Sequence, residues 1–416
     1  MLKIFFENSK FRNYLIFQTF SGIGGGIFTI FMMWVIHFQY QNPFYTGLAG
    51  FMFAVLAITN FIVGPFVDRR NKTVLIRITC FVKFVVVSLI LSASLTYMPG
   101  VWFLLLMILI YSAAGLISTP AGTALLPGIV DGEDLMRANV LINITATFVG
   151  LGIGVGLYFL MAGGANFEVV YAVNTAVLLV ALAASVFVRS SEPKKSEIQT
   201  EKTPLKTYFA ELKEGLAFVK QGTALFLIAA VVAQDIAASI AYVNVPMLAQ
   251  VHTGEASAYI VLTALALIGG LLGSYVSRIA GPKFDIWKIL VTCFILGGIA
   301  RIIFVNIIAD NFTRALLIHA FYIGMGSTIG IFFTTLMQKL PPKHLIARIT
   351  TITISLFGIS SAFGALLGGV MGNLLPNVDM IFIIQGASYI AIGLCVCLSK
   401  GIRKLPKIDD VVSIEE

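Results

Sequence analysis

The sequence predicts an all-α integral membrane protein, with about twelve transmembrane helices in two six-helix bundles. Three observations predict it. First, 58% of the 416 residues are hydrophobic and only 12% are charged, with a mean hydropathy of +0.94. An average soluble domain carries roughly 25% charged residues, so a soluble fold of this size could not cover its surface. Second, apolar runs of the roughly 20 residues that cross a bilayer recur along the whole chain. Third, the cations gather in alternate connections, as they do on the cytoplasmic side of membrane proteins. The runs lack the polar/apolar alternation over ~10 residues that marks a membrane barrel, so helices are expected.

In chain order, the runs begin near Asn13, Thr46, Val74, Gly100, Ala138 and Val169. After a polar interval they resume near Thr223, Ala256, Ile286, Arg314, Ile349 and Met380. The first, Asn13 to Phe38, exceeds the ~7–15-residue core of a signal peptide and has no small-residue cleavage site, so it is read as a retained span. Placing both termini in the cytoplasm leaves only Lys83, Arg301 and Arg314, of 28 Lys and Arg, away from the inner side. Outer loops such as 39–45 and 251–255 contain neither residue. The net charge of +8 is therefore an orientation signal in a multi-pass cell (inner or plasma) membrane protein, and no nucleic acid partner is expected.

These runs divide the chain into a first bundle at 1–188, a linker at 189–222, a second bundle at 223–400 and a cytoplasmic tail at 401–416. In the linker, Thr203 can cap a helix with Pro204 at its first position. Leu205, Tyr208, Phe209, Leu212, Leu216 and Val219 then give it one apolar face, suited to lying on the inner membrane surface. The cysteines Cys80, Cys293, Cys395 and Cys397 all fall in apolar runs, with no C-x-x-C pair. They read as small buried side chains, with no metal or disulfide framework.

The two halves resemble each other. Gly64-x-x-x-Asp68-Arg69 recurs as Gly273-x-x-x-Ser277-Arg278 at an offset of 209, and Leu135-x-Arg137 is echoed by Leu345 and Arg348. Two repeats of the same sense are an arrangement found in transporters, with the substrate bound near mid-membrane where the repeats meet.

The short turn Gly64-Pro65-Phe66-Val67-Asp68-Arg69-Arg70-Asn71-Lys72 joins the second and third spans. It resembles the loop motif G-x-x-x-D-R-x-G-R-[RK] of the major facilitator superfamily, with Asn71 in place of the second glycine. The stretch Thr119-Pro120-Ala121, Leu125-Leu126-Pro127 and Leu135-x-Arg137-Ala138-Asn139 is similar to the bacterial drug, macrolide and enterobactin exporters of that superfamily. The resemblance extends over nearly the whole chain in helix number and orientation. It implies a gating motif of Gly64, Asp68, Arg69, Arg70 and Lys72, with Asp68 meeting the first turn of the eleventh span near Arg348 and Ile349. A helix N-terminus favours an anion by roughly 0.3–1 kcal/mol. The plainer alternative is a surface bridge from Asp68 to Arg69 or Arg70, worth ~0–1 kcal/mol.

Glycines recur in the fifth span as Gly150, Gly152, Gly154 and Gly156, and in the eleventh as Gly364, Gly368 and Gly372. Antiporters of the superfamily often carry G-P-x-x-G-G in the fifth span; here Leu151 replaces the proline and Val155 the second glycine. Gly150, Gly154, Gly364 and Gly368 are read as close-packing positions between helices.

Charged groups inside a membrane are costly and are functional candidates by default. Asp235, near the middle of the seventh span, is the clearest. It could carry a coupling proton, pair with a cationic substrate, or make a structural hydrogen bond to a neighbouring helix. The resemblance implies that the first, fourth, seventh and tenth spans line a cavity. On these, Gln18, Tyr111, Gln234, Tyr242 and Asn244 join Asp235 as candidate contacts for substrate or proton. Lys83 and Arg301 are expected on peripheral helices with their charges snorkelling to the surface, and His319 as a packed histidine.

No phosphate-binding loop of the G-x-x-x-x-G-K-[ST] type occurs, and the 34 residues from Arg189 to Gly222 are too few for a nucleotide-binding domain. Gly22-x-Gly24-Gly25-Gly26 lies inside a membrane run, so it is not a dinucleotide site. No cofactor is expected, and an ion gradient is the remaining energy source. The expected activity is secondary active, proton-coupled efflux by an antiporter contributing to drug resistance, with no enzymatic reaction. The alternatives are an importer, a lipid flippase or a non-transporting receptor. The expected partners are a small-molecule substrate, a proton or other coupling ion and the lipid bilayer, with the protein a monomer.

Overall fold

The computed structural model describes residues 2–59, 63, 66–67, 70–130, 132–189, 222–342 and 345–411. Gly64, Asp68, Arg69 and the stretch 203–219 lie outside the described residues. All regular structure among the described residues is helical. The helices are α1 (Leu2–Glu7), α2 (Ser9–Tyr40), α3 (Pro43–Ala54), α4 (Lys72–Thr96), α5 (Val101–Leu125), α6 (Gly132–Ala162) and α7 (Phe167–Phe187). In the second half come α8 (Gly222–Tyr242), α9 (Val245–Thr253), α10 (Ala256–Ala280), α11 (Ile286–Ile307), α12 (Phe312–Lys339), α13 (Ile346–Leu374), α14 (Asp379–Leu398) and α15 (Lys400–Arg403).

Eleven of the described helices are long and apolar enough to cross a membrane. Of the second predicted run, the described stretch Pro43–Thr59 is helical, with α3 passing into a 3-10 turn at Val55–Thr59. The predicted seventh span is interrupted. Tyr242 ends α8, and Asn244 starts α9 with Pro246 in its first turn, where proline's missing N–H costs nothing. Asn71, which replaces the motif's glycine, caps α4 by accepting a hydrogen bond from the Val74 N–H at 3.1 Å, a role worth ~1 kcal/mol to a helix end. Asn8 caps α2 and Asn311 caps α12 in the same way.

The chain forms two compact units: Met1–Gln41, Met52–Ile198 and Ala256–Ala264 in one, Asn42–Phe51, Gln199–Glu255 and Leu265–Glu416 in the other. Each half thus lends a short segment to the unit built mainly by the other. In the first unit Tyr259, at the start of α10, donates to Ile30 O at 3.2 Å and stacks on Trp34. In the second, α3 crosses α13 at paired glycines. A Cβ on Gly47 would lie 2.5 Å from Gly369 Cα, and one on Gly369 would lie 2.9 Å from Gly47 Cα. Only residues without a side chain permit that approach.

Within the units the helix pairs repeat. The first packs α2 on α6 and α7, and α4 on α5 and α7; the second packs α8 on α13 and α14, and α11 on α12 and α14. The same four pairings recur in the same chain order in the two units. His252 Nε2 of α9 and Asp379 Oδ1 of α14 add a 2.7 Å hydrogen bond in the second unit. The tail does not hang free of that unit: Ile402 is fully buried and Lys339 donates to Ile408 O.

Cys80 and Cys293 are buried as predicted, but Cys395 is exposed and Cys397 half-buried. They sit near the end of α14 beside exposed Leu394 and Leu398, and Arg403 reaches Cys397 Sγ at 3.7 Å.

Candidate functional site

The second unit positions Asp235 through close helix packing. Gly364 and Gly368 of α13 lie against α8, where a Cβ on Gly364 would come within 2.7 Å of Ile236 O and one on Gly368 within 2.5 Å of Ile240 O. One turn before Gly364 on α13, Ser360 and Ser361 reach the Asp235 carboxylate. Both hydroxyls donate to its Oδ2, Ser361 at 2.7 Å. No cation pairs with Asp235 among the described residues. The neighbouring Gln234 leaves Oε1 buried without a partner.

Asn244 is 1% exposed and braces the break between α8 and α9. Its amide donates to Ile240 O at 2.8 Å and to Gly368 O at 2.9 Å. Tyr242 is 42% exposed. Gly372 completes the glycine row, with Asn244 Oδ1 and Pro43 against it. Arg348 lies in the first turn of α13.

Arg301, expected to snorkel, is instead 2% exposed. Its Nε donates to Gln385 Oε1 at 2.7 Å and its Nη1 to His319 Nδ1 at 2.9 Å. An arginine has only donors, so His319 accepts there and the neutral ring carries its proton on Nε2. The guanidinium carbon lies 4.5–5.1 Å from the ring centroids of Phe382, Tyr322 and Phe304, close enough for cation–π attraction. Gln385 Nε2 donates to Tyr322 OH, which donates to Tyr389 OH. Tyr389 OH and Gln234 Nε2 then flank Gly326, at 3.9 and 3.8 Å from a Cβ built there. The chain of polar groups runs from α11 through α14 and α12 to the residue beside Asp235.

The first unit holds a second buried cation. Lys83, in the middle of α4, is 8% exposed and does not snorkel either. Its Nζ donates to Ser118 Oγ at 3.1 Å and lies 5.5 Å from the Tyr111 ring centroid. Tyr111 is stacked on Phe28 of α2 at 3.8 Å, and its hydroxyl is buried without a hydrogen-bond partner. No carboxylate pairs with Lys83 among the described residues. A charge at the bilayer centre costs about 2.5–3.5 kcal/mol on insertion scales, and one hydroxyl with one aromatic face offsets only part of that.

The other predicted residues are dispersed. Gln18 is exposed on α2, with Oε1 3.9 Å from a Cβ built at Gly122. Arg70 is exposed over the Phe66 ring, and Lys72 is the first residue of α4. Gly150 is half-buried on α6, and Gly154 lies where a Cβ would meet Ala264 Cβ at 2.6 Å. The serine pair, Ser118 and Gln385 were not singled out from the sequence. Hydroxyl and amide residues are common in apolar helices, and only their register against a charged neighbour distinguishes these.

Repeated helix pairings with charges buried in both units define a polytopic membrane transporter. The model of the Major Facilitator Superfamily matches residues 14–365, and the chain belongs to that family. A curated relative, the uncharacterized MFS-type transporter YvqJ of Bacillus subtilis (strain 168), is 22% identical over 95% of this chain and 94% of its own. The solved nucleoside transporter NupG has a TM-score of 0.70 at 10% identity, covering 95% of this chain and 99% of its own. A D-xylose–proton symporter has 0.68 at 12%, covering 96% and 98%. A bacterial homologue of the human lysosomal transporter Spinster has 0.61 at 16%, covering 94% and 95%. At these identities the structures share the fold alone.

Proposed function

We propose that this transporter is a proton-coupled exporter of amphipathic small molecules, drugs or siderophore-like metabolites, working as an antiporter by alternating access. The observation that carries the reading is Asp235, a carboxylate within a membrane-length helix, held by two serine hydroxyls and paired with no cation among the described residues. A carboxylate not locked into an ion pair keeps its side chain available to a mobile partner, and the serine hydroxyls that donate to it can also rotate to accept. The similarity of the 119–139 stretch to drug and siderophore exporters supports the outward direction. Gly64, Asp68, Arg69, Arg70, Lys72 and Arg348 would set the balance between the inward- and outward-open states.

Two measurements test this. Cells carrying the gene should accumulate less of some labelled amphipathic compounds than cells lacking it; greater accumulation would make the protein an importer. With a compound so identified, Asp235→Asn should abolish pH-gradient-driven transport in vesicles while inserting normally. Undiminished proton-coupled transport would remove Asp235 from the mechanism. Asp68→Asn should shift thiol-label access at the two cavity mouths, and unchanged access would exclude its gating role.

A further inference from the structure

Lys83 is the only charged residue more than two turns from a helix end among the described residues of the first unit. Among the same residues, no acid lies as far from a helix end. Of its three N–H donors, one meets a side-chain acceptor, Ser118 Oγ. Ser118 in turn donates to Gly115 O. Gly115 faces open space, since a Cβ there would meet nothing within 4 Å. The nearest atom to a Cβ built on Gly25 of α2, at 3.8 Å, is the Tyr111 hydroxyl, which has no partner. A buried cation with spare donors, an unpartnered hydroxyl and glycines that leave room thus share one region of the unit.

We propose that Lys83 and Tyr111 bind a negatively charged oxygen of the transported molecule, making the substrate class apolar monocarboxylates. The proposal rests on the reading of the chain as a small-molecule transporter and names what that transporter carries. One lysine balances one negative charge, so a monoanion fits where a phosphate dianion leaves an excess. The carboxylate supplies acceptors for the unused Lys83 donors and for the Tyr111 O–H. Phe28, stacked on Tyr111, and Phe53, 6.1 Å from Phe28, provide apolar faces for the rest of the molecule.

The test is binding to the purified full chain in lipid nanodiscs, with no gradient, read by fluorescence anisotropy of three matched probes. These are 2-naphthoate, neutral 2-naphthamide and cationic 2-naphthylmethylammonium. The wild-type protein should bind 2-naphthoate at least tenfold more tightly than either other probe. Lys83→Met should lower 2-naphthoate affinity at least tenfold and leave 2-naphthamide unchanged, while Lys83→Arg retains most of the affinity. Should Lys83→Met fail to fold, Tyr111→Phe removes only the hydroxyl and should weaken 2-naphthoate severalfold. Equal binding of 2-naphthoate by wild type and Lys83→Met overturns the proposal, as does a wild-type preference for the cation or no binding of the carboxylate. Because no proton gradient enters the assay, failure of proton-coupled efflux in vesicles leaves this result standing, and the reverse also holds.

Discussion

Each unit buries a cation on the third helix of its repeat against a tyrosine on the fourth, and the two are handled in opposite ways. Arg301 on α11 has two side-chain acceptors and three aromatic rings around it. Lys83 on α4 has one hydroxyl, one ring and a neighbouring phenol with nothing to bond. Tyr322 and Tyr111, the rings beneath the two cations, are 211 positions apart, close to the 209-residue offset of the loop motif. A planar guanidinium suits a closed network because its donors point in fixed directions toward acceptors. An ammonium on a flexible stem suits an incomplete one. Arg301 therefore knits three helices together, and Lys83 is left with bonding capacity for something else.

This contrast can be tested by mutation, beginning with the largest effect. Arg301→Ala empties a buried site and leaves Gln385 Oε1 without its donor, and should destabilise the second unit by ~2–5 kcal/mol, read as a lower unfolding temperature in detergent. Arg301→Lys should rescue little, because the two-sided fork is lost. Gln385→Leu leaves Arg301 Nε without its acceptor and should cost ~1–3 kcal/mol. Tyr111→Phe deletes an unpaired buried hydroxyl and should raise stability by ~1 kcal/mol. Lys83→Met, an apolar side chain of similar length replacing an unpaired charge, should leave stability within ~1 kcal/mol or raise it. A loss from Lys83→Met as large as that from Arg301→Ala would erase the distinction.

The fold was legible because its evidence is collective. A shortage of charge and a series of long apolar runs do not depend on any one residue. The local departures were less visible to hydropathy but had signals of their own: Asn244-Val245-Pro246 reads as a helix start inside an apolar run. The burial of Lys83 and Arg301 was not legible, since hydropathy gives depth along a helix and not which way a side chain points. Asp235 could be singled out by its cost in the membrane. Its serine partners, 125 and 126 positions away, become identifiable only when the Gly364 and Gly368 row sets the register of α13 on α8. Ser360 lies one turn before that row, on the face it defines.

The most direct test compares thermal unfolding of wild type, Lys83→Met and Arg301→Ala, each with and without 2-naphthoate. Lys83→Met should unfold near the wild-type temperature and lose the ligand-induced rise, whereas Arg301→Ala should unfold at a lower temperature and keep it. A ligand-induced rise that survives in Lys83→Met, or that disappears in Arg301→Ala alone, would contradict the division of one recognition cation and one structural cation between the two units.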